Sequence, residues 1–490
     1  MRRIFHFFLF VGWLASTPTT FAEPLRLEKH RRYLFFDDTL IDTDKTERLT
    51  RMVNRPVKHA QNPVLRREHP WEGFRVQVYG TVIHDPAERL FKAWYMNIPA
   101  TAETIITVQG QRRPGHATLL SYATSPDGIA WQKPTLNLVD FEGSTANNMV
   151  APDMYNPEGF SVLHEPDDPD PARRYKAFYW DHGFGPLVEH EGVMIYGSGP
   201  KDGIHVAFSP DGIHWKPHAK NPVLSVYSDT GQVVLYDPAI QRYVAFGRFG
   251  FGRKVARTES KDFVTWTEPE LVLEPDERDG PKTQFYGISV NLYEGVYIGV
   301  LWMFRIETRN IGQIDFQLCH SRDGKTWTRD PERTVFLPLG PTGAWDGGDM
   351  RGACRSVILP DEVRFYYAGS AADHGKGGET KIGMDIGLAT LRRDGWVSLD
   401  AGKKRGNLVT RKFVYPGGRL HVNYQGDWGK AEYSIYEGNS KPDNVTEGSI
   451  SGDLLNGTFS ARRLSPELTG KTVRLRLTMR DAKLYSLWFE

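Results

Sequence analysis

The chain has few cysteines, no excess of either charge and no long apolar run beyond its first residues. Its 490 residues include two cysteines, and its formal net charge at pH 7 is +1. Two cysteines exclude a disulfide-rich scaffold, and no Cys/His group has the spacing of a zinc site. The balanced charge leaves no basic footprint for nucleic acid, so we expect no such partner. No later stretch predicts a transmembrane helix.

Residues 1–22 have the features of a signal peptide. Arg2 and Arg3 precede an apolar run at 4–14. Residues 20–22 read TFA, with small residues at the first and third positions, as at a signal-peptide cleavage site. The alternative is an uncleaved anchor, but the run is short for a bilayer span. No cysteine follows for a lipid anchor. We expect a secreted or periplasmic protein that starts at Glu23, with no membrane contact after cleavage.

Cys319 and Cys354 fall in neighbouring predicted units of the chain. One disulfide between them and two buried free thiols are both compatible with that spacing. A large domain does not need a disulfide framework, and an unpaired cysteine behaves as a small apolar residue. We therefore favour two buried thiols.

Aromatic residues and turn formers are abundant. Phe, Trp and Tyr make up 12% of the chain, which also has 48 glycines and 31 prolines. This composition favours many short strands joined by turns over helices. We predict an all-β protein.

One seven-residue motif recurs along the chain. It reads SPDGIAW at 125–131, SPDGIHW at 209–215, SKDFVTW at 260–266 and SRDGKTW at 321–327, with a degenerate RRDGW at 392–396. The four clear tryptophans are 84, 51 and 61 residues apart, which indicates repeated structural units. Ser and Asp cap the turn, and Gly takes the positive φ. We predict hairpins between the third and fourth strands of successive sheets, with a structural role.

Three strands precede each motif and complete five four-stranded units, which predicts a five-bladed β-propeller over residues 23–400. The inner strands are placed at 79–83, 160–163, 232–236, 284–290 and 353–359. Residues 33–36 are left over and are expected to close the ring or to lie against the last blade. From about residue 401 to 490 the motif is lost while strands continue, which predicts a C-terminal β-sandwich.

The chain resembles the arabinanase, levansucrase and invertase superfamily of glycoside hydrolases. The five units carry this likeness. Short stretches near both ends of the chain also resemble a group of secreted glycosidase-like proteins from environmental bacteria. These read FFDDTLI at 35–41, NPVL at 62–65, PWE at 70–72, LTGKTVRLR at 468–476 and DAKLYS at 481–486. The resemblance implies a five-bladed propeller followed by a sandwich, although fold alone does not assign activity.

The resemblance also implies three carboxylates on the inner strands of the first three blades, with an Asp as nucleophile or base and a Glu as acid. This sequence departs from that pattern in two places. It has no invertase-type Asn-Asp-Pro opening, and its third unit carries Ser228, Asp229 and Thr230 where the acid Glu is expected.

Acidic residues just before the inner strands are candidates for the site, because the starts of these strands share one mouth of a propeller, and Asp38 on the leftover N-terminal strand is added to them. The catalytic candidates are Glu72, Asp229, Asp349, Asp38 and Glu158. The substrate-binding candidates are His374, Arg351, Arg248, Trp71, Asp346 and Gln284. Clustered carboxyl groups raise one another's pKa, which supplies the protonated acid that glycoside hydrolysis needs. Trp180, Trp302 and Trp345 are further candidates for stacking on sugars.

Each candidate has a structural alternative. Asp38 is suited to capping a turn, Glu72 to a place on the rim, and Asp346 and Asp349 to binding backbone N–H groups in a glycine-rich loop. Ion pairs with Arg248 or Arg351 are the alternative for the whole carboxylate cluster. The tryptophans are equally suited to core packing.

We therefore expect a secreted glycoside hydrolase that acts on a poly- or oligosaccharide through paired carboxylates. The alternatives are a non-catalytic glycan-binding propeller and a polysaccharide lyase with His374 or a tyrosine as base. We expect no cofactor, and a structural calcium ion stays open. The sequence does not assign an oligomeric state.

Overall fold

The computed structural model describes residues 23–101, 103–183, 187–190, 193–196, 202–377, 381–438, 446–463 and 466–490. The expected signal peptide at 1–22 lies outside this set. The protein is all-β, as predicted. Four short 3-10 turns occur at Pro70–Glu72, Pro171–Arg173, Glu277–Asp279 and Pro466–Leu468. In the described ranges no helix is long and apolar enough to cross a membrane.

Five groups of antiparallel strands follow one another along the chain, preceded by four short strands: β1 (Leu25–Arg26), β2 (Tyr33–Leu34), β3 (Thr50–Val53) and β4 (Val57–Lys58). Unit one contains β5 (Arg75–Asp85), β6 (Leu90–Ile98), β7 (Ile105–Val108), β8 (Gln111–Pro114) and β9 (Leu119–Ser125). Unit two contains β10 (Pro157–His164), β11 (Tyr175–Asp181), β12 (Leu187–His190), β13 (Val193–Tyr196), β14 (Gly203–Ser209) and β15 (Lys216–Pro217). Unit three contains β16 (Val233–Asp237), β17 (Arg242–Gly247), β18 (Val255–Ser260) and β19 (Glu270–Leu273).

The next two groups complete the series. Unit four contains β20 (Thr283–Tyr293), β21 (Val296–Thr308), β22 (Ile311–Ser321), β23 (Trp327–Arg329) and β24 (Val335–Leu337). Unit five contains β25 (Asp349–Gly352), β26 (Val357–Ile358), β27 (Glu362–Ser370) and β28 (Asp385–Arg392), and β4 pairs with β28 as its last strand. In every unit the first three long strands pair in chain order.

Apolar clusters join each unit to the next and the fifth unit to the first. Representative pairs across the five boundaries are Trp94 with Phe160, Phe178 with Ala245, Phe246 with Tyr297, Phe316 with Met350, and Tyr366 with Phe91. Burial of such side chains contributes about 1.5–3 kcal/mol each. Neighbouring units therefore share apolar clusters, and units four and five also belong to one ten-stranded sheet.

The turn motif folds as predicted, and its copies also contact other segments, for example where Gly212 accepts the indole N–H of Trp94 at 2.6 Å. In the copy at 321–327, the Oγ atom of Ser321 accepts the N–H of Gly324, and Asp323 accepts two further backbone N–H groups at 2.7 and 2.8 Å. The other three copies repeat these bonds. Phe263 replaces the glycine at φ 69° and is fully buried, so apolar burial offsets the strained backbone.

The predicted inner strand of unit five is divided. The prediction placed one strand at 353–359, whereas β25 ends at Gly352 and β26 begins at Val357. The inner strands of three other units carry bulges, for example between Gln77 and Thr81 in β5. Bulges near strand starts turn side chains out of the regular alternation.

The C-terminal strands form one curled sheet with the N-terminal strands. They are β29 (Val397–Ala401), β30 (Gly406–Val409), β31 (Phe413–Val414), β32 (Leu420–Glu437), β33 (Thr446–Thr458), β34 (Ser460–Arg463), β35 (Thr472–Met479) and β36 (Ala482–Phe489). With β1, β2 and β3 they make an eleven-stranded sheet in the described ranges. The structure connects these strands in one sheet, where the sequence suggested a sandwich.

The leftover strand has a different partner from the one expected. Tyr33–Leu34 pairs with β36 of the C-terminal sheet, and β4 takes the closing position in unit five. The expectation that residues 33–36 close the ring is therefore wrong. The expected packing against the last unit is confirmed, because Leu34 and Phe36 share a core with Phe365, while Phe35 enters the core of the C-terminal sheet.

Both cysteines are buried free thiols, as favoured from the sequence. Burial raises the pKa of the Cys354 thiol to about 11, so it stays protonated near neutral pH. Neither thiol is suited to act as a nucleophile in this state.

Candidate active site

Antiparallel pairing brings two kinds of segment to the same end of each unit. The start of the first strand lies beside the connection between the second and third strands. In unit three this connection carries Arg248 and Arg253 around two glycines at positive φ, Gly250 and Gly252. In unit five it carries His374. The site is built at this end.

Tyr286, near the start of β20, is the centre of a group of cationic and imidazole side chains. The guanidinium carbons of Arg248, Arg253 and Arg351 lie 4.7, 5.2 and 5.2 Å from the centre of its ring. The His374 ring lies 4.8 Å away. We call these five residues the Tyr286 cluster. The face of a phenol ring attracts cations, which allows three guanidinium groups to gather around it.

Asp349, at the start of β25, holds two members of the cluster. Its Oδ2 atom accepts a bond from Nη2 of Arg351 at 2.8 Å and lies 3.7 Å from Nδ1 of His374. Burial opposes ionisation of Asp349, but the charge of Arg351 and the contact with His374 outweigh it and lower the pKa of the carboxyl. Asp349 is therefore ionised, and Arg351 also donates to Gln77 at 3.1 Å.

The hydrogen bond between Arg351 and His374 decides the tautomer of the imidazole. Nη2 of Arg351 lies 3.0 Å from Nδ1 of His374, and a guanidinium can only donate. Burial, followed by the charge of Arg351, lowers the pKa of His374, although Asp349 opposes this shift. In the neutral ring Nδ1 is then the acceptor and Nε2 carries the hydrogen. Nε2 has no hydrogen-bond partner among the described residues.

Glu158, at the start of β10, lies next to His182 at the end of β11. Nε2 of His182 is 3.2 Å from Oε1 of Glu158, and the imidazole stacks on Trp180 at 3.9 Å. Burial raises the pKa of Glu158; the bond from His182 opposes the shift and the negative charge of Asp229 adds to it. The same contact raises the pKa of His182 against the effect of burial.

Asp229, just before β16, is the most open carboxylate of the site. Its side chain is 39% exposed, which leaves it accessible to a ligand, and its Oδ2 atom lies 3.6 Å from Nη1 of Arg248. The hydroxyl of Tyr227 donates to the same oxygen at 3.2 Å. Arg248 thus connects Asp229 to the Tyr286 cluster. We call Glu158 and Asp229 the carboxyl pair.

Arg75 and Arg253 add positive charge to the site. Arg253 donates to the side-chain oxygen of Gln284 at 3.0 Å and lies 4.8 Å from the centre of the Phe304 ring. Burial, followed by the charge of Arg351, lowers the pKa of Arg75 to about 10, so Arg75 stays protonated near neutral pH.

The structure brings together most of the sequence-derived candidates. Those that contact one another, directly or through one further residue, are Asp229, Asp349, His374, Arg351, Arg248 and Gln284. Glu158 contacts His182, and the negative charge of Asp229 contributes to its raised pKa. Glu72, Asp38, Asp346 and Trp71 make other contacts.

Glu72 is a buried structural carboxylate. It is 0% exposed, and its Oε1 atom accepts a bond from the hydroxyl of Tyr95 at 2.6 Å. Oε2 accepts Nζ of Lys133 at 2.8 Å and the backbone N–H of Glu68 at 2.9 Å. Both oxygens are thus occupied. The bonds from the backbone also attach the carboxylate to the segment just before the 3-10 turn that ends at Glu72. We leave Glu72 out of the site.

Asp38 and Asp346 also have structural partners. Asp38 is paired with Arg51, and its neighbour Asp37 bonds Arg322 in the turn motif of unit four, at the opposite end from the site. Asp346 is 2% exposed and accepts bonds from Lys58 at 2.6 Å and from the Tyr367 hydroxyl at 2.9 Å. These pairs attach β3 and β4 segments to the rest of the protein.

The tryptophan candidates are mainly packing residues. Trp302 and Trp180 are 0% and 4% exposed, too little for stacking on a sugar. Trp71 stacks on His69 at 4.6 Å and donates to Asn148 at 2.8 Å, and Trp345 stacks on Tyr367. The core-packing alternative thus holds for Trp302 and Trp180.

The sequence analysis did not predict Tyr79, Tyr286, Arg253, Arg75 or His182. The Tyr79 ring lies 5.5 Å from the guanidinium carbon of Arg351. Arg248 and His374 were predicted from connections between second and third strands, but Arg253 and His182, which lie in or beside the same kind of connection, were not. The pattern RFGFGR at 248–253, two arginines around a glycine-rich turn, was the available signal. Tyr79 and Tyr286 lie inside bulges, which the regular alternation of a strand does not reveal.

A cavity of about 350 Å³ lies elsewhere, between unit four and the C-terminal sheet, next to Phe36, His320, Arg329 and Val397. Two carboxyl groups, those of Asp330 and Glu332, also line it. The Tyr286 cluster and the carboxyl pair instead lie at the starts of the inner strands, away from this cavity. In the part of the chain described here, no three His, Cys, Asp or Glu residues are grouped so as to hold a metal ion.

No protein-family model matches the sequence, and no curated protein matches it. Solved structures show a loose likeness. A glycoside hydrolase has a TM-score of 0.46 and 14% identity over 69% of this chain and 92% of its own. An N-acetylgalactosamine deacetylase from F. plautii has a TM-score of 0.41 and 17% identity over 75% and 95%. The exo-beta-1,3-galactanase of Phanerochaete chrysosporium has a TM-score of 0.39 and 10% identity over 89% and 99%. At these values the likeness assigns neither a substrate nor a catalytic residue to this chain.

Proposed function

We propose that this protein is a glycoside hydrolase whose sugar binds at the end of a five-bladed β-propeller formed by units one to five. The observation that carries the proposal is the carboxyl pair. Glu158 has a raised pKa and Asp229 is open to solvent, and both lie at the starts of successive inner strands. Glycoside hydrolysis needs one protonated and one ionised carboxyl group on either side of the scissile bond.

Glu158 is the general acid in this proposal. Burial keeps its carboxyl protonated at a higher pH than usual, so that it can donate to the departing sugar oxygen. Asp229 acts as the base or nucleophile on the other face. Arg248 and Tyr227 hold its Oδ2 atom from one side and orient it. Asp349 positions Arg351 and His374 and does not itself react.

Exposed aromatic rings around the carboxyl pair support a carbohydrate ligand. Tyr227 and Phe251 are 53% and 38% exposed, unusually open for side chains of this size. The hydroxyl of Tyr227 bonds Asp229, and Phe251 lies in the turn between Arg248 and Arg253. Aromatic faces of this kind stack on the apolar faces of sugar rings.

The tautomer of His374 argues against His374 as the base of a lyase. A lyase base must accept a proton, but Nδ1 of His374 already accepts from Arg351 and Nε2 carries its hydrogen. His374 is therefore suited to donate to a substrate oxygen. The non-catalytic alternative expects carboxylates paired with arginine. This holds for Asp349 and, at 3.6 Å, for Asp229, but not for Glu158, whose partner is His182.

The test is hydrolysis of a glycan panel. The mature protein is incubated with plant and algal polysaccharides, and new reducing ends and product stereochemistry are followed by chromatography and NMR. We expect saturated products with one defined anomeric configuration. Unsaturated products that absorb in the ultraviolet would indicate a lyase, and binding without cleavage would indicate a binding module.

A matched pair of variants locates the chemistry. Asp229→Asn is expected to reduce turnover by about 10²–10⁴-fold, with an almost unchanged melting temperature because Asp229 is well exposed. The control is Asp167→Asn, a change at an exposed residue of unit two. Wild-type turnover in Asp229→Asn, on a substrate that the wild type cleaves, removes Asp229 from the mechanism.

The proposal includes export. Residues 1–22 act as a signal peptide, the propeller and the C-terminal sheet form the mature protein, and its first residue is Glu23. N-terminal sequencing of protein from the periplasm or the medium tests this. A chain that begins at Met1 in those fractions would contradict it.

A further inference from the structure

The site contains more positive charge than its carboxylates balance. Three guanidinium groups, those of Arg248, Arg253 and Arg351, meet around Tyr286, and Nη2 of Arg75 lies against Gly377 in the loop that carries His374. Arg351 pairs with Asp349 at 2.8 Å, and Arg248 approaches Asp229 at 3.6 Å. Among the ion pairs of the described ranges, neither Arg75 nor Arg253 has a carboxylate partner. Arginines gathered without counter-charges repel one another, unless a ligand supplies the missing negative charge.

Hydrogen-bond donors are also in excess. Nε of Arg75, Nε of Arg248 and Nε2 of His374 are buried and lack a hydrogen-bond partner in the described part of the chain. Guanidinium nitrogens only donate, and the bond from Arg351 makes Nε2 of His374 a donor as well. Unpaired buried donors destabilise a protein unless water or a ligand bonds them. Unpaired Nε atoms also occur at six arginines away from the site, so it is the gathering of three such donors at one place that points to a ligand rich in acceptor oxygens.

Three acceptor oxygens near these donors are already in use, and Asp229, which is more open, is assigned to the reaction in the proposed function. Both oxygens of Asp349 face the guanidinium of Arg351, and the side-chain oxygen of Gln284 accepts from Arg253. A neutral sugar hydroxyl needs acceptors as well as donors. A carboxylate or a sulfate ester needs donors alone and matches the fork of a guanidinium.

We propose that the site accepts a sugar that carries an anionic group, a carboxylate or a sulfate ester, and that Arg75 and Arg253 bind this group. The inference rests on the proposed function for the placement of the sugar next to the carboxyl pair. Arg248 and His374 donate to the same sugar unit. The substrate class is therefore an acidic poly- or oligosaccharide.

The first experiment measures binding without turnover. The Glu158→Gln protein is titrated calorimetrically with three oligosaccharide probes of equal length, derived from polygalacturonate, carrageenan and neutral galactan. We expect at least one acidic probe to bind at least about tenfold more tightly than the neutral one. Its affinity should weaken between low and high NaCl concentration, because salt screens the arginine–anion attraction. The carboxylate and sulfate probes distinguish the two sources of charge.

The second experiment removes the arginines from the same background. Arg75→Gln and Arg253→Gln are each expected to weaken binding of the acidic probe by about tenfold or more and to reduce its salt dependence. Arg253→Lys keeps the charge without the fork and should lie in between. Arg405→Gln, at an exposed residue of the C-terminal part, removes one charge elsewhere and should leave binding unchanged. Thermal melting checks that each variant is folded.

The outcomes separate the two proposals. Equal affinity for neutral and acidic probes, or full affinity for the acidic probe in both folded arginine-to-glutamine variants, overturns the anion site. Cleavage of neutral glycans alone overturns it too and leaves the hydrolase proposal standing. Arginine-dependent binding of an acidic probe that the wild-type protein never cleaves supports the anion site and overturns the hydrolase proposal.

Discussion

Nε2 of His182 lies 3.2 Å from Oε1 of Glu158, where the first two strands of unit two meet the site. Each group stabilises the charged form of the other, whereas burial favours the neutral form of both. Burial prevails for Glu158, whose pKa is raised. A carboxyl group that stays protonated above its usual range is suited to general acid catalysis.

Removal of this acid gives the first prediction. Glu158→Gln keeps the shape and the neutral charge of a protonated carboxyl but cannot donate its proton to the leaving group. We expect turnover to fall by about 10²–10⁴-fold, with a melting temperature close to that of the wild type. Steady-state kinetics on the cleaved glycan and thermal melting measure the two effects.

The control for Glu158→Gln is Glu277→Gln, an exposed residue before β20. It should behave as the wild type in both measurements. Normal turnover in Glu158→Gln would exclude Glu158 as the acid.

The second prediction concerns pH. The bond from His182 lowers the pKa of Glu158 against the larger effect of burial. His182→Phe keeps the stacking on Trp180 but removes that bond, so the pKa of Glu158 should rise further. Activity requires protonated Glu158 and falls as the pH passes its pKa. The alkaline limb of the pH–rate profile should therefore move to higher pH in His182→Phe.

The comparison for this variant is His214→Phe, which changes an exposed histidine in the turn motif of unit two. Its pH–rate profile should match that of the wild type. A downward shift of the alkaline limb in His182→Phe would contradict the assignment of Glu158 as acid.

The third prediction separates a structural carboxylate from the catalytic ones. Glu72 and Lys133 form a buried ion pair at 2.8 Å. Glu72→Gln removes one of the two carboxylates that pair with the buried Lys133, while Glu68 stays at 3.0 Å, and should lower the free energy of unfolding by about 1–3 kcal/mol. Urea denaturation measures this loss. Among molecules that remain folded, turnover per molecule should stay near the wild-type value, and a loss of turnover above about 10²-fold would return Glu72 to the catalytic candidates.

The fourth prediction concerns acid stability. Burial opposes ionisation of Asp211, Asp262 and Asp323, but backbone N–H bonds outweigh it and lower their pKa to about 2. Because their pKa in the unfolded chain is higher, these groups stabilise the fold above about pH 4 and lose that effect as the pH falls towards 2.

Replacement of all three aspartates by asparagine tests the direction of this pH dependence of stability. The variant should melt about 2–4 °C below the wild type at pH 7, and the difference should shrink towards pH 2.5. The matched control replaces the exposed Asp44, Asp153 and Asp167 by asparagine and should show no such convergence. A difference in melting temperature between variant and wild type that grows as the pH falls would contradict the stabilising role of the three ionised aspartates.

The sequence alone determined the all-β class, the five successive groups of strands and the turns between their outer strands. The reason is that the turn motif folds through bonds among its own residues, as Ser321 and Asp323 illustrate. Buried thiols could also be anticipated, because Cys319 and Cys354 lie in apolar strands of a large domain.

Only the tertiary structure decided which polar residues meet. The sequence analysis predicted Asp38, Glu72 and Glu158 alike as catalytic candidates. In the structure Asp38 pairs with Arg51. Glu72 bonds Lys133 and Tyr95, which come from other segments of the chain. Tyr286 gathers arginines from units three and five because the ends of distant strands converge. The pairing of β2 with β36 joins residues more than four hundred positions apart. Such contacts depend on the packing of the whole chain, and a local pattern of residues does not specify them.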